Sequence, residues 1–256
     1  MKFIVEARTV AGLVKSINQD SLMVKRMKSG RHQMVLAVVC DGMGGGSKGE
    51  LASASVVKVF NDWANNELQE MIKRYASKEE LRDRWTQLVN QISARLVEYG
   101  KMSGKVVGTT VTVLLIIDDQ YFILNVGDTR AYEVRKNGIK QITVDQTIVE
   151  REVRLGILTP EKAAVDPRRN ILLQSVGAST EVLPDMFIGN VRRNSMYIVC
   201  SDGFYKRITE EDLNQAFAPE LFDNKLALRR RADEIIQLVR NRGEKDDISV
   251  ILIKTY

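Results

Sequence analysis

Apolar and polar positions along the chain switch between a strand pattern and a helix pattern. Residues 3–7, 21–25 and 33–40 are short apolar-rich runs that predict strands. A long helical stretch follows, from about residue 49 to residue 75. Val56, Phe60, Trp63, Glu67 and Met71 fall at helical spacing there, and only Glu67 departs from the apolar pattern. Ser77 with Glu80 resembles a capping box for the next helix. Leu81, Trp85, Leu88, Ile92, Leu96 and Tyr99 then build one apolar face. Two amphipathic helices with a short link predict an antiparallel pair.

The middle of the chain reads as strand: 109–117, 121–126, 131–135 and 139–144 are rich in β-branched residues. Asp118-Asp119-Gln120, Gly127-Asp128 and Lys136-Asn137-Gly138 divide them, and Asn137-Gly138 predicts a hairpin. Such close spacing favours antiparallel pairing. Short helices are expected at Pro160, capped by Thr159, and after Thr209, where Asp212 completes a capping pattern. Leu228, Ala232, Ile235 and Val239 mark a final helix before the last strand. Residues from about 149 to 170 mix charge with Gly156, Pro160 and Pro167, and read as a surface excursion able to tune access to a site. Without repeats or a proline-rich linker, residues 1–256 are expected to form one domain, an α+β sandwich with helices over the outer faces of packed sheets.

Composition narrows the function classes. The chain has 256 residues, 44% hydrophobic and 28% charged, which suits a globular domain with a large core. The net charge of +5 is modest, and the arginine clusters at 168–169, 192–193 and 229–231 are scattered, with no aromatic stacking platform. Nucleic acid is therefore not an expected partner. Cys40 and Cys200 each end an apolar run and read as buried thiols. Zinc spacing is absent, and the single histidine, His32, lies outside every motif. The start breaks into charge too early for a secretory signal, and no apolar run reaches membrane-spanning length, so a cytoplasmic setting and no membrane partner are expected.

The candidate chemistry lies in acids at strand ends. Val35-Leu-Ala-Val-Val-Cys40 delivers Asp41 onto the glycine-rich turn Gly42-Met-Gly-Gly-Gly46. The run 197–200 ends in Ser201-Asp202-Gly203, and Asp246-Asp247 opens the run 248–253. Acids far apart in sequence at such positions suggest one oxygen-rich site for a hard divalent cation, Mg²⁺ or Mn²⁺. Two such ions clamp a phosphoryl group and acidify a water. Each piece alone has a plainer reading: an Asp-Gly pair after a strand is a common turn, Asp128 reads equally as a turn acid, and Asn18-Gln19-Asp20 as a cap at the start of a strand.

Order and wording together are more specific. The chain resembles the metal-dependent serine/threonine protein phosphatases of type 2C, in their compact bacterial form. Gly12-Leu-Val-Lys-Ser-Ile-Asn-Gln-Asp20 looks like the family's first motif, and Asp41-Gly-Met-Gly-Gly45 with Gly49-Glu50 and Ala52-Ser53 like its metal loop. Gly108-Thr-Thr110, Asn125-Val-Gly-Asp-Thr-Arg-Ala-Tyr132, Ser201-Asp202-Gly203 and Asp246-Asp247-Ile-Ser249 match later motifs, and Asp145-Gln146-Thr147 begins the family's flap region. The similarity runs from about residue 7 to residue 253.

The resemblance implies a four-layer α-β-β-α sandwich, two central antiparallel sheets flanked by antiparallel helix pairs. It implies two metal ions, with Asp41 bridging them and the Gly42 carbonyl on the second. Asp202 and Asp246 complete the first ion's carboxylates. Asp20 acts through waters to orient the nucleophilic hydroxide, and Asp128 with Asp202 is placed for a third, weaker ion. Lys15 stands where the family usually has arginine and would contact phosphate as a point charge rather than a planar fork. Gln19 replaces a frequent glutamate, Asp247 a frequent asparagine, and Met43 stands where many members have a histidine, which leaves the leaving-group acid unassigned. Of the two adjacent acids, Asp246 is the expected ligand.

The implied activity is hydrolysis of phosphoserine and phosphothreonine in a phosphorylated protein, by a monomer opposing a serine/threonine kinase. The alternatives are a catalytically weak phosphatase-fold module that binds a phosphoprotein or partner, and a generic phosphohydrolase for small metabolites or nucleotides. No P-loop supports the last.

Overall fold

A computed structural model describes residues 1–14, 17–44 and 48–256. Strand β3 (His32–Gly44) shows how its uninterrupted apolar run is used. Side chains alternate between faces along a strand. Met34, Leu36, Val38 and Cys40 pack toward helices, while Val35, Ala37 and Val39 pack toward a second sheet. Both faces are buried, so the sequence loses the apolar–polar alternation of a half-exposed strand.

One sheet runs in the order β1 (Phe3–Val10), β11 (Ile248–Thr255), β10 (Met196–Cys200), β7 (Arg130–Arg135), β8 (Gly138–Gln141). The other runs β2 (Asp20–Ser29), β3, β5 (Val111–Ile117), β6 (Gln120–Val126), β9 (Asp185–Asn190), with β4 (Val107–Thr109) paired to the end of β3. Every pairing between these strands is antiparallel. The space between the sheets is filled by Val35, Leu114, Ile123, Tyr197, Val199, Ile251 and their neighbours.

Helices cover both outer faces, as expected. Helix α1 (Lys48–Asn66) packs on β3 and along α3 (Lys78–Ser103). Trp85 of α3 meets Trp63 and Phe60 of α1 edge-on, with ring centroids 5.5 and 6.0 Å apart. On the other outer face, α7 (Glu210–Ala216) and α8 (Lys225–Asn241) insert Leu213, Leu228, Ala232 and Ile236 against β10 and β11. No helix among the described residues is long and apolar enough to cross a membrane.

Four local expectations are adjusted. The helix expected over 49–75 is interrupted at Glu67 and resumes as α2 (Leu68–Lys73). The Glu67 carboxylate accepts from Arg84 of α3 at 2.7 and 2.5 Å, which uses the one polar position in the apolar stripe. The strand expected over 109–117 is divided at Thr110, whose N–H donates to the Asp41 carbonyl at 2.9 Å. The excursion holds the expected helix α5 (Pro160–Val165), capped by Thr159, and also a helix that was not expected, α4 (Ile148–Arg154), capped by Thr147. Edge strand β9 was not expected, because it is short, half exposed and framed by Asp185 and Asn190.

Candidate active site

Strand register gathers the acids. Asp20, first residue of β2, lies directly opposite Asp41 on β3. Cys40 faces the helices, so Asp41 faces the end of the gap between the sheets. Directly opposed like charges destabilise an antiparallel pair, and nothing about the register itself offsets that. The Asp41 backbone is held on both sides: its N–H donates to Thr110 Oγ1 at 3.0 Å, and its carbonyl accepts from Thr109 Oγ1 at 2.8 Å.

The glycine after Asp41 is required by close approach. A Cβ on Gly42 would lie 2.2 Å from the Gly49 carbonyl oxygen and 2.4 Å from that of Gln19. The Gly42 N–H donates to the Gln19 carbonyl at 3.2 Å, and Ser53 of α1 donates to that same carbonyl at 2.7 Å. The entry to β2, the end of β3 and the start of α1 are thereby joined at one point. Lys15, the predicted phosphate contact, and Gly45, Gly46 and Ser47 lie outside the described residues.

Asp202 opens the four-residue helix α6 (Asp202–Tyr205), directly after β10. Ser201 reaches back and donates to Asp20 Oδ2 at 2.7 Å, while its own Oγ accepts from Ser249 N–H at 3.0 Å. Asp128 occupies the turn between β6 and β7, where Gly127 takes φ +100°. Asp247 uses both carboxylate oxygens on backbone, accepting from Gly12 N–H at 2.7 Å and Gln19 N–H at 2.8 Å. Asp246 lines the adjoining cleft. The two neighbouring acids therefore have different surroundings: Asp247 staples the first loop to the last strand, and Asp246, whose Oδ1 accepts from Asp247 N–H at 2.9 Å, lines the cleft.

Electrostatics reflect the crowding. Burial, then repulsion from Asp202, Asp20, Asp128 and Asp246, holds the Asp41 carboxyl well above the usual range. Burial pushes Asp20 up to about 7, against the lowering effect of its hydrogen bonds from Ser201 and Ser249. Burial and then Asp202 push Asp128 up to about 7. Asp20 Oδ1 and Asp202 Oδ1 are buried without a hydrogen-bond partner. Two orphaned carboxylate oxygens and a set of mutually repelling acids are the donor chemistry of a hard divalent cation, so the residues fit Mg²⁺ or Mn²⁺. Among the described residues, no three His, Cys, Asp or Glu side chains already meet around a single point; the acids are gathered but not closed on an ion.

A cleft of about 750 Å³ is lined by two of these acids, Asp128 and Asp246. Asp128, Lys206 and Asp246 line one side, and Val149, Glu150 and Arg169 of the excursion line the other. The expected surface excursion is thus a wall of the site. Gln146, just before the excursion, also braces the Asp128 turn: its Oε1 accepts from Gly127 N–H at 2.8 Å, and its Nε2 donates to Asp185 at 2.9 Å.

Sequence reasoning missed several supporting side chains. Arg130 forks onto Asp145 and lies 3.7 Å over the Tyr205 ring, whose hydroxyl donates to the Asp128 carbonyl at 2.9 Å. Ser201 and Gln146 lay inside quoted motifs, which was the available signal. Lys206, which bonds Asp202, had only its i, i+4 spacing from that residue.

Comparison with known proteins agrees with this architecture. The protein phosphatase 2C family model matches residues 14–240. The serine/threonine phosphatase stp of Listeria welshimeri is 28% identical over 255 residues, covering 97% of this chain and 94% of that protein. The solved serine/threonine phosphatase of S. agalactiae superposes with a TM-score of 0.85 at 27% identity, over 100% of both chains. The catalytic domain of the serine threonine protein phosphatase PstP, solved in complex with 2 manganese ions, shares the fold with a TM-score of 0.78 at 24% identity, covering 98% of this chain and 97% of that one.

The two-sheet sandwich with carboxylates gathered at one end defines the class, a metal-dependent protein serine/threonine phosphatase. The chain belongs to the protein phosphatase 2C family.

Proposed function

We propose that this chain hydrolyses phosphoserine and phosphothreonine esters in proteins with two divalent ions, Mn²⁺ or Mg²⁺, bound at the strand-end acids. Asp41, the Gly42 carbonyl, Asp202 and Asp246 would hold the ions. When bound, the ions supply Lewis-acid charge for the phosphoryl oxygens and acidify a water for attack on phosphorus. Asp20, held by Ser201 through Oδ2 and with its buried Oδ1 unpartnered, would orient that water and hold its proton. Lys15 would supply positive charge to the incoming phosphate. The cleft bounded by residues 146–170 has room for the residues flanking the phosphorylated side chain.

The observation that carries this reading is the register that sets Asp20 against Asp41, with buried, unpartnered carboxylate oxygens beside them. Without a cation, such an arrangement is costly. We further propose that the chain works in the cytosol as a monomer, opposing a serine/threonine kinase. Cys40 and Cys200 are buried free thiols, which suits a reducing compartment.

The test is release of phosphate from a phosphothreonine peptide, with Mn²⁺ and with EDTA, for the native chain and Asp41→Asn. Turnover that needs both the metal and Asp41 is expected. Folded, Mn²⁺-loaded protein without turnover would leave a phosphoprotein-binding module instead. Faster turnover of free nucleotides than of the peptide would exclude a protein substrate.

A further inference from the structure

The outer pair of acids already faces a cation that belongs to the chain. Lys206 follows Asp202 by four residues, one helical turn, and its ammonium donates to Asp202 Oδ2. The Asp202 side chain is covered, with 11% exposed, and the Lys206 side chain is 27% exposed on a residue that as a whole reaches solvent. Lys206 and Asp128 line the same cleft. The Tyr205 hydroxyl bonds the Asp128 carbonyl at 2.9 Å, so the turn carrying Asp128 is fastened to the residue next to Lys206. Arg130, stacked 3.7 Å over the Tyr205 ring, holds that tyrosine in place. Burial and then Asp202 raise the Asp128 carboxyl, and the nearby ammonium opposes that rise. A divalent ion between Asp128 and Asp202 would sit beside a fixed positive charge and compete with it for Asp202 Oδ2. Repulsion between like charges is strong where water is partly excluded.

We propose that the Lys206 ammonium takes the outer position between Asp128 and Asp202, so that this chain loads two divalent ions and excludes a third. The inference rests on the two-ion reading above. It sets aside the third ion that the sequence resemblance placed at Asp128. It also gives Lys206 a definite role: an internal counter-charge on Asp202, in the cleft it shares with Asp128, whether or not divalent metal is present.

The experiment is a count of bound Mn²⁺ per chain, by equilibrium dialysis with metal analysis up to millimolar Mn²⁺. The native protein should saturate at two ions, and Asp128→Asn should leave the count at two. Lys206→Ala and Lys206→Asn should each rise to three, and adding Asp128→Asn to Lys206→Ala should return it to two. Lys206→Arg, which keeps the charge, should stay at two. Circular dichroism identifies the folded variants, and either neutral variant suffices. Three ions on the native chain, with one lost in Asp128→Asn, would overturn the proposal. So would a count of two in a folded neutral variant. A native chain that binds no Mn²⁺ would overturn the two-ion reading and this inference together, whereas two ions with no gain in the neutral variants would overturn this inference alone.

Discussion

Gly42 is where a single atom decides whether the site can assemble. Its missing Cβ is the space in which the Gln19 and Gly49 carbonyls approach β3. The neighbours are backbone, so they cannot rotate away as a side chain would. Gly42→Ala should therefore destabilise the fold by about 1–3 kcal/mol through overpacking. It should also weaken Mn²⁺ binding, because the displaced backbone carries the Asp41–Gly42 segment. Urea unfolding and a Mn²⁺ titration check both effects, and an unchanged urea midpoint would contradict the close approach. At the same scale, Asp246 and Asp247 show how adjacent identical residues acquire different tasks. Asp247 is consumed by two backbone N–H groups, while Asp246 faces the cleft. Nothing in an Asp-Asp dipeptide states which carboxylate is spent on two backbone N–H groups far away in sequence.

At the scale of elements, the acids stand at strand ends; the interiors of β3, β10 and β11 are buried, while β2, which begins at Asp20, is half-buried. The positions of those ends depend on the helices that clamp the sheets. Trp85 is the centre of one clamp: it is fully buried and meets Phe60 and Trp63 edge-on across α1 and α3. Trp85→Ala should cost roughly 3–5 kcal/mol, transfer and cavity terms together. Chemical denaturation measures this, and a loss below about 1 kcal/mol, the range of exposed positions, would contradict a packed α1–α3 contact. The periodicity of α3 was legible because its apolar face is regular, and Ser77 caps it by accepting from Glu80 N–H at 3.1 Å. The division at Glu67 was less legible, because a single polar residue in an apolar stripe does not reveal that Arg84, on another helix, will take its carboxylate.

At the scale of the molecule, the sandwich concentrates negative charge at one end of its inter-sheet space, and pH should expose this. Asp20 and Asp128 are pushed up to about 7 in the fold, against about 3.9 for a free aspartate. Between these values the folded, metal-free protein holds protons that the unfolded chain has released. Their contribution to stability is therefore greatest at low pH and declines as pH rises through the folded values near 7. A bound divalent ion removes the repulsion. The rise in Tm produced by Mn²⁺ should accordingly grow from pH 5 to pH 7.5. Thermal melts with and without Mn²⁺ across that range test it, and a metal-induced rise independent of pH would show that the acids are not the ligands.

The sequence by itself determined the apolar runs, the helix faces and caps, and the acids placed where runs end. These are local properties, written in spacings of two and of three or four residues and in turn chemistry. The order of the motifs was enough to imply the family and the two-sheet plan. Tertiary structure alone decided which acids face one another, because register and sheet packing join residues 20, 41, 128, 202 and 246 across the length of the chain. It likewise decided that the excursion forms a wall of the cleft, that Ser201 orients Asp20, and that Lys206 turns its charge onto Asp202. Each of those outcomes depends on distances between elements, and distances between elements are set by how the sheets and helices pack.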